Sequence, residues 1–143
     1  IPVTNCNDMV TYSYTMSENL TGCTDNGLRI EKDNTILDCN GYSIEGIGSE
    51  NGILVNNFSN VKIHDCYINN FNKGIFINGS NMYIRESSNI TIINISVSNS
   101  TYGVYLDDLV YNVTINDSLF SNVTNGIYDN TEIFDKLEGI IKK

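Results

Sequence analysis

The chain has 143 residues, of which 41% are hydrophobic and 17% charged, and its formal net charge is −9 at pH 7. This balance favours one folded domain over a disordered segment. It also argues against nucleic acid and anionic membrane surfaces as partners, because the excess of acidic side chains repels phosphate groups. No apolar run is long enough to span a membrane and no leader segment is recognisable. A first residue of Ile1 rather than Met suggests a processed chain.

The N-terminal segment, residues 1–22, predicts short strands, because apolar and polar residues alternate between Val10 and Tyr14. No amphipathic helix that would cap the domain is visible in this segment. We therefore expect this end of the domain to expose unpaired strand edges.

Four cysteines lie in the first half of the chain, with spacings of 17, 16 and 27 residues. These spacings match neither a zinc site nor a thioredoxin-type motif, so two disulfide bonds are expected, with three pairings open. The alternative is four buried thiols in an intracellular protein. The cysteines are Cys6, Cys23, Cys39 and Cys66.

Nine Asn-X-Ser/Thr sequons occur in the chain. With 23 Asn and 24 Ser plus Thr, chance placement predicts only about four. The excess indicates a glycosylated, exported protein and agrees with disulfide bonds. The alternative is that a repeated sequence happens to spell the sequon.

An internal repeat organises most of the chain. Residues 60–77, 89–106 and 112–129 align without a gap: each opens on Asn, with Ile three, Asn ten and Gly fourteen positions later. A looser copy begins at Asp33, and a vestige of a fifth ends on Ile30. Glycines precede the last strand of each copy at intervals of 22 to 29 residues, a period typical of solenoids and related arrays. These are Gly27, Gly52, Gly74, Gly103 and Gly126.

Within each copy, apolar residues alternate at a spacing of two, interrupted by Asn, Ser and Gly. This is the pattern of strand, turn and strand, and a single copy has too few apolar residues to fold alone. The motif N-[IV]-T-I followed by G-[IV]-Y-L resembles the right-handed parallel β-helix repeat of pectin-degrading enzymes, of periplasmic proteins that assist copper-site assembly and of many microbial surface proteins. The resemblance covers about residues 23 to 129 and implies an all-β parallel β-helix, a solenoid of about four to five coils within residues 1–130. It implies little about function, because this scaffold serves lyases, hydrolases and inert rods.

Stacked coils place equivalent residues about 4.8 Å apart. On this resemblance, Asn70, Asn99 and Asn122 form an asparagine ladder at one corner, so the sequons at Asn99 and Asn122 are by-products of the repeat. Five of the other seven sequons are glycosylation candidates, because they lie at turns or in less regular sequence. They are Asn19, Asn57, Asn78, Asn89 and Asn112.

The same stacking selects a disulfide pairing. Cys39 and Cys66 fall at equivalent positions of adjacent coils, within the Cα separation that a disulfide bond accepts. Cys6 is then expected to pair with Cys23 and to attach the N-terminal segment to the first coil.

Candidate catalytic groups are few. The single histidine, His64, is expected to be a surface residue, and isolated methionines argue against copper handling. Asp38, Asp65 and Asp117 fall at similar repeat positions, and stacked carboxylates of this kind bind calcium in related lyases. The alternative, which we favour, is that these residues suit a turn between strands. The pair Asp107-Asp108 resembles the paired aspartates of pectin hydrolases, yet the accompanying His-Gly and Arg-X-Lys elements have no counterpart here. We therefore predict no catalytic residues, no metal and no cofactor.

One outward position of the repeat carries Phe76, Tyr105 and Tyr128, with Arg29 and Leu54 at the equivalent positions of earlier copies. Such an aromatic stripe offers a contact surface for sugars or for another protein. Aromatic pairing that only stabilises the sheet is an equal alternative.

The C-terminal residues 131–143 predict a short amphipathic helix that caps the last coil or packs on a neighbouring molecule. Taken together, these features predict a non-catalytic, extracellular or cell-surface structural glycoprotein that assembles head-to-tail through its ends. Its partners would be other copies of itself or cell-surface glycans. The alternative is a carbohydrate-binding or carbohydrate-cleaving β-helix. The apolar residues that carry the helical spacing are Ile133, Phe134, Leu137, Ile140 and Ile141.

Overall fold

A computed structural model describes residues 5–79, 87–107, 109–130 and 141–142, and the structural statements below concern these residues. They contain thirteen strands joined in parallel, and no helix. The strands are β1 (Asp8–Val10), β2 (Tyr14–Thr15), β3 (Leu20–Cys23), β4 (Leu28–Ile30), β5 (Thr35–Asp38), β6 (Ser43–Gly46), β7 (Asn51–Asn56), β8 (Val61–Asn69), β9 (Lys73–Asn78), β10 (Ser87–Leu106), β11 (Val110–Asn116), β12 (Leu119–Asp129) and β13 (Ile141–Lys142).

The chain winds through three parallel sheets. Sheet 1 stacks β1, β4, β7, β9, the end of β10 and the end of β12. Sheet 2 stacks β2, β5, the start of β8, the start of β10, β11 and β13. Sheet 3 stacks β3, β6, the end of β8, the middle of β10 and the start of β12. The predicted all-β parallel solenoid is thus confirmed, with about five turns.

The solenoid begins earlier than the sequence predicted. Residues 8–23 form a first coil, β1 to β3, which pairs with the second coil in all three sheets. Its side chains Val10, Met16 and Leu20 are almost fully buried, so this segment belongs to the core. The repeat motif is too eroded here to be recognised, although the backbone register continues.

The core consists of apolar columns that run along the solenoid axis. Twenty-seven apolar side chains are at most 4% exposed. Strand alternation places one residue in two on the inside, and parallel register stacks it on its equivalent in the next coil, as with Ile53, Ile75 and Val104. Full burial of each Val, Leu or Ile contributes about 1.5–3 kcal/mol, which explains why one coil alone is unstable and a stack is not.

The corners between sheets explain the abundance of asparagine. Fifteen non-glycine residues have positive φ, and eleven of them are asparagines, with φ between 51° and 72°. Asparagine tolerates this left-handed conformation better than other side chains because its short polar group bonds locally. The composition therefore follows from the number of sharp corners that the coils require.

Asparagine side chains also link the coils, although the predicted ladder is only partly present. The Nδ2 group of Asn122 donates to Oδ1 of Asn99 over 2.6 Å, as expected, but Nδ2 of Asn99 donates to Asn69 over 2.8 Å. Asn70 donates instead to the carbonyl of Gly46. The ladder therefore breaks between Asn99 and Asn70, because Oδ1 of Asn69 accepts the Asn99 amide in place of Asn70. A second ladder, Asn7, Asn26 and Asn51, was not predicted.

The structure contains both disulfide bonds, in the pairing expected from the repeat. Cys39 and Cys66 join adjacent coils with a Cα separation of 4.8 Å. Cys6 and Cys23 join the two ends of the first coil at 5.4 Å.

Most of the predicted C-terminal helix, residues 131–140 and 143, lies outside the described residues. Ile141–Lys142 form β13, which pairs in parallel with Thr114 and Ile115, so the predicted helix does not include them. The exposed backbone groups at the edge of β11 provide the reason, since an unpaired edge accepts another strand.

Candidate functional site

The first candidate surface lies on the outside of sheet 1. Parallel register stacks Phe76, Tyr105 and Tyr128 in one column, and Tyr102 stands beside them in the neighbouring column. Ring centroids are 5.3 Å apart for Phe76 and Tyr105 and 4.7 Å for Tyr105 and Tyr128. Tyr102 packs edge-on against Tyr105 at 4.9 Å. We call these four residues the aromatic ladder.

Lys73 completes this cluster. Its ammonium nitrogen lies 4.8 Å from the centroid of the Tyr105 ring and 5.0 Å from that of Phe76, within the range of cation–π attraction. Each ring thus packs against at least one neighbouring ring, and all four rings are half-buried. The contacts of Phe76, Tyr105 and Tyr128 join adjacent coils, as expected if aromatic pairing stabilises the sheet.

The second candidate is a cluster of potential metal ligands at the end of sheet 2. Asp38 and His64 are in register on β5 and β8, and Asp65 follows at the corner with φ of 59°. Nδ1 of His64 lies 2.9 Å from Oδ2 of Asp65 and 3.7 Å from Oδ1 of Asp38. We call these three residues the Asp–His–Asp cluster. Among the residues described, they form the one group of three such side chains with mutually close ligand atoms.

Hydrogen bonds stabilise the ionised form of Asp65 in this cluster. Nδ2 of Asn94, in the next coil, donates to Oδ1 of Asp65 over 2.6 Å. This bond, followed by the bond from His64, lowers the pKa of Asp65 below its ordinary value because both donors favour the ionised carboxylate. Asp65 is therefore a carboxylate at neutral pH.

Alignment of the repeat copies did not predict this cluster, because the alignment differs from the observed strand register by one residue. The repeat aligns Asp38 with Asp65, whereas the strands pair Asp38 with His64. Asp65 takes the left-handed corner conformation, which turns its side chain back toward the imidazole. The sequence did contain a signal for this contact. Asp38 and His64 lie one position apart in the aligned copies, and Asp65, the next residue, is of a type that favours the left-handed corner conformation, which takes up that one-residue offset.

The other carboxylates do not join the cluster. Asp117 occupies the same kind of corner, with φ of 52°, but Asn94 separates its coil from that of Asp65. Oδ1 of Asp107 accepts a bond from Nδ2 of Asn130, and Asp108 lies outside the described residues. Positive φ at Asp65 and Asp117 agrees with the turn role that the sequence favoured.

The glycosylation candidates differ in how their amides are used. Asn19, Asn89 and Asn112 are exposed, whereas Asn57 and Asn78 are half-buried. Nδ2, the atom that carries a glycan, donates to Asn56 in Asn78 and to Asn89 in Asn112. In Asn19 and Asn89 the described bonds use Oδ1, which accepts from Ser43 and from Asn112, respectively. We therefore expect Asn19 and Asn89 to be the most suitable of these sites for a glycan.

Comparison of the chain with known protein families, curated proteins and solved structures finds no match. In the part of the chain that the structure describes, no helix is long and apolar enough to cross a membrane.

Proposed function

We propose that the protein is a non-catalytic structural unit of a cell surface or extracellular assembly. The observation that carries this proposal is the direction of its side-chain contacts, which run from coil to coil. The apolar core, the asparagine ladders, the aromatic ladder and the Cys39–Cys66 bond all join one coil to the next. Such a solenoid is a rigid, self-supporting rod, which is what a structural unit requires.

Export is supported by the covalent chemistry. Two disulfide bonds persist in oxidising compartments and rarely in a reducing cytosol. The nine sequons suggest passage through a glycosylating export route. We therefore place the protein outside the cell or on its surface.

The terminal coils favour a discrete unit over the head-to-tail filament that the sequence suggested. Asp8 stands in register with Leu28, at the start of a buried apolar column, and Asp129 stands in register with Leu106, at the end of another. A coil added in register would place Ile127 on Asp8 and Asp129 on Val10. Stacking would remove both carboxylates from water and place them against apolar side chains, and inward charges at an edge discourage further pairing.

Replacement of both end carboxylates is expected to change the oligomeric state. The unmodified chain should remain monomeric at all concentrations in size-exclusion chromatography with light scattering. The variant Asp8→Leu/Asp129→Leu should form concentration-dependent oligomers, because its apolar columns continue to both ends. Glu18→Leu/Glu45→Leu, which removes the same charge outside these columns, should stay monomeric. Filaments of the unmodified chain would contradict the discrete unit.

The structural role itself is tested on the protein in its source cells and on purified material. Immunogold electron microscopy is expected to label the cell surface, and incubation with a panel of polysaccharides, with and without calcium, is expected to release no product. Intracellular labelling would overturn the assignment. Product release that disappears in Asp65→Asn would replace it with a carbohydrate-active function.

A further inference from the structure

We propose that the Asp–His–Asp cluster, Asp38, His64 and Asp65, binds one divalent transition-metal ion such as Zn²⁺. The donors would be Nδ1 of His64, Oδ1 of Asp38 and Oδ2 of Asp65. The metal would replace the hydrogen that Nδ1 donates to Asp65, and the neutral ring would carry its proton on Nε2 instead. This site is independent of the structural role proposed above, and it rests on donor geometry, on a rigid support and on the choice of donors.

The donor geometry requires only small adjustments. Nitrogen and carboxylate oxygen lie about 2.0–2.2 Å from zinc, so two donors on one ion are roughly 3.0–3.5 Å apart. The distances from Nδ1 of His64 are 2.9 Å to Asp65 and 3.7 Å to Asp38, and all three donor atoms lie within 4.8 Å of one another. Both distances from His64 are therefore close to the spacing that two donors on one ion require.

The support of the cluster is rigid. Asp38 and Asp65 directly precede Cys39 and Cys66, whose disulfide bond joins the two coils. The backbone amide of Asn40 donates to Oδ1 of Asp38 over 2.7 Å, and Asn94 holds Oδ1 of Asp65 over 2.6 Å, which leaves Oδ2 directed at His64. Such outer contacts orient the ligands of metal sites and limit the entropy lost on binding.

The donor set selects the class of metal. An imidazole nitrogen with two carboxylates suits zinc, cobalt, nickel or copper, whereas calcium takes six to eight oxygens and magnesium keeps mostly water. Two carboxylates also balance the charge of a divalent ion. The side chains of His64 and Asp38 are 22% and 27% exposed, so water can complete the coordination.

Other corners of the solenoid provide matched controls. Asp117 lies at an equivalent corner, but Asn116 precedes it where His64 precedes Asp65. At the corner between them, Ile93 precedes Asn94. Both corners therefore lack the nitrogen donor, and a metal held only by surface carboxylates would bind at Asp117 as well.

The test uses the untagged, disulfide-intact chain and metal ions alone. Calorimetry with Zn²⁺ is expected to give one ion per chain, and Co²⁺ should produce a visible absorption band. Because His64 is the only histidine in the chain, its ring signals in NMR spectra report directly on the site and should shift on saturation. His64→Asn and Asp65→Asn should each weaken binding at least about tenfold, because loss of even a hydrogen-bond partner of a metal ligand typically costs about 10- to 100-fold. Asp117→Asn should leave it unchanged.

Each contrary outcome is decisive. Absence of binding at millimolar zinc, or unshifted His64 signals, would overturn the site. Binding that survives His64→Asn, or that falls equally in Asp117→Asn, would assign the ion to surface carboxylates. Circular dichroism of each variant separates loss of a ligand from loss of the fold.

Discussion

Gly74→Ala is expected to destabilise the solenoid by about 3 kcal/mol, whereas Gly126→Ala is expected to change the free energy of unfolding by less than about 1 kcal/mol. A Cβ atom at Gly74 would lie 2.6 Å from the carbonyl oxygen of Gly103 and 2.6 Å from Cγ1 of Val97. A Cβ atom at Gly126 would meet only the Phe120 ring, at 3.1 Å, and that ring is partly exposed. The two substitutions are identical, so the difference isolates the close approach.

The cause is a glycine column in sheet 1. A Cβ atom at Gly52 would lie 2.5 Å from the carbonyl oxygen of Gly74, and the same clash recurs at Gly27 and Gly103 with the glycine of the next coil. A backbone oxygen cannot move without breaking the sheet, so the clash strains several coils. Gly126 escapes because no described coil follows it in this sheet.

Urea denaturation of both variants, with the disulfide bonds intact, measures this difference. Similar midpoints for Gly74→Ala and Gly126→Ala would show that sheet 1 can spread apart. The close approach of the glycines would then not be a packing requirement.

Removal of the Cys39–Cys66 bond in Cys39→Ala/Cys66→Ala is expected to lower the free energy of unfolding by about 3–4 kcal/mol. The bond spans 27 residues, and closing such a loop in the unfolded chain removes entropy on this scale. Alanine is the suitable replacement because both cysteines are buried and a serine hydroxyl would add a desolvation cost.

The matched control is Cys6→Ala/Cys23→Ala, whose bond spans 17 residues in the first coil. It is expected to cost about 3 kcal/mol on the same scale. Denaturation of both double variants gives the comparison. If Cys39→Ala/Cys66→Ala lowers the free energy of unfolding by less than about 1 kcal/mol, the second and third coils stay close together in the unfolded ensemble without the bond.

Much of the architecture was predictable because its rules are local. Alternation at a spacing of two predicts strands, the shared Asn and Gly positions predict coils, and stacked copies place Cys39 beside Cys66. The first coil was not predicted, because residues 8–23 lack the repeat motif although their strands keep the register. The outward position of Phe76, Tyr105 and Tyr128 also follows from alternation, but not the packing of their rings against Lys73.

The sequence by itself determined the coil, its apolar interior and its disulfide pairing, because each depends on residues that recur at a regular spacing. Only the tertiary structure decided which polar side chains meet. Asp38 faces His64, Asn99 bonds Asn69, and Asp8 stands at the start of an apolar column. These contacts depend on which corner residues take a left-handed conformation and on how each insertion shifts the register of the next strand. Alignment of the copies does not encode either property, because one corner residue moves every following side chain by one position.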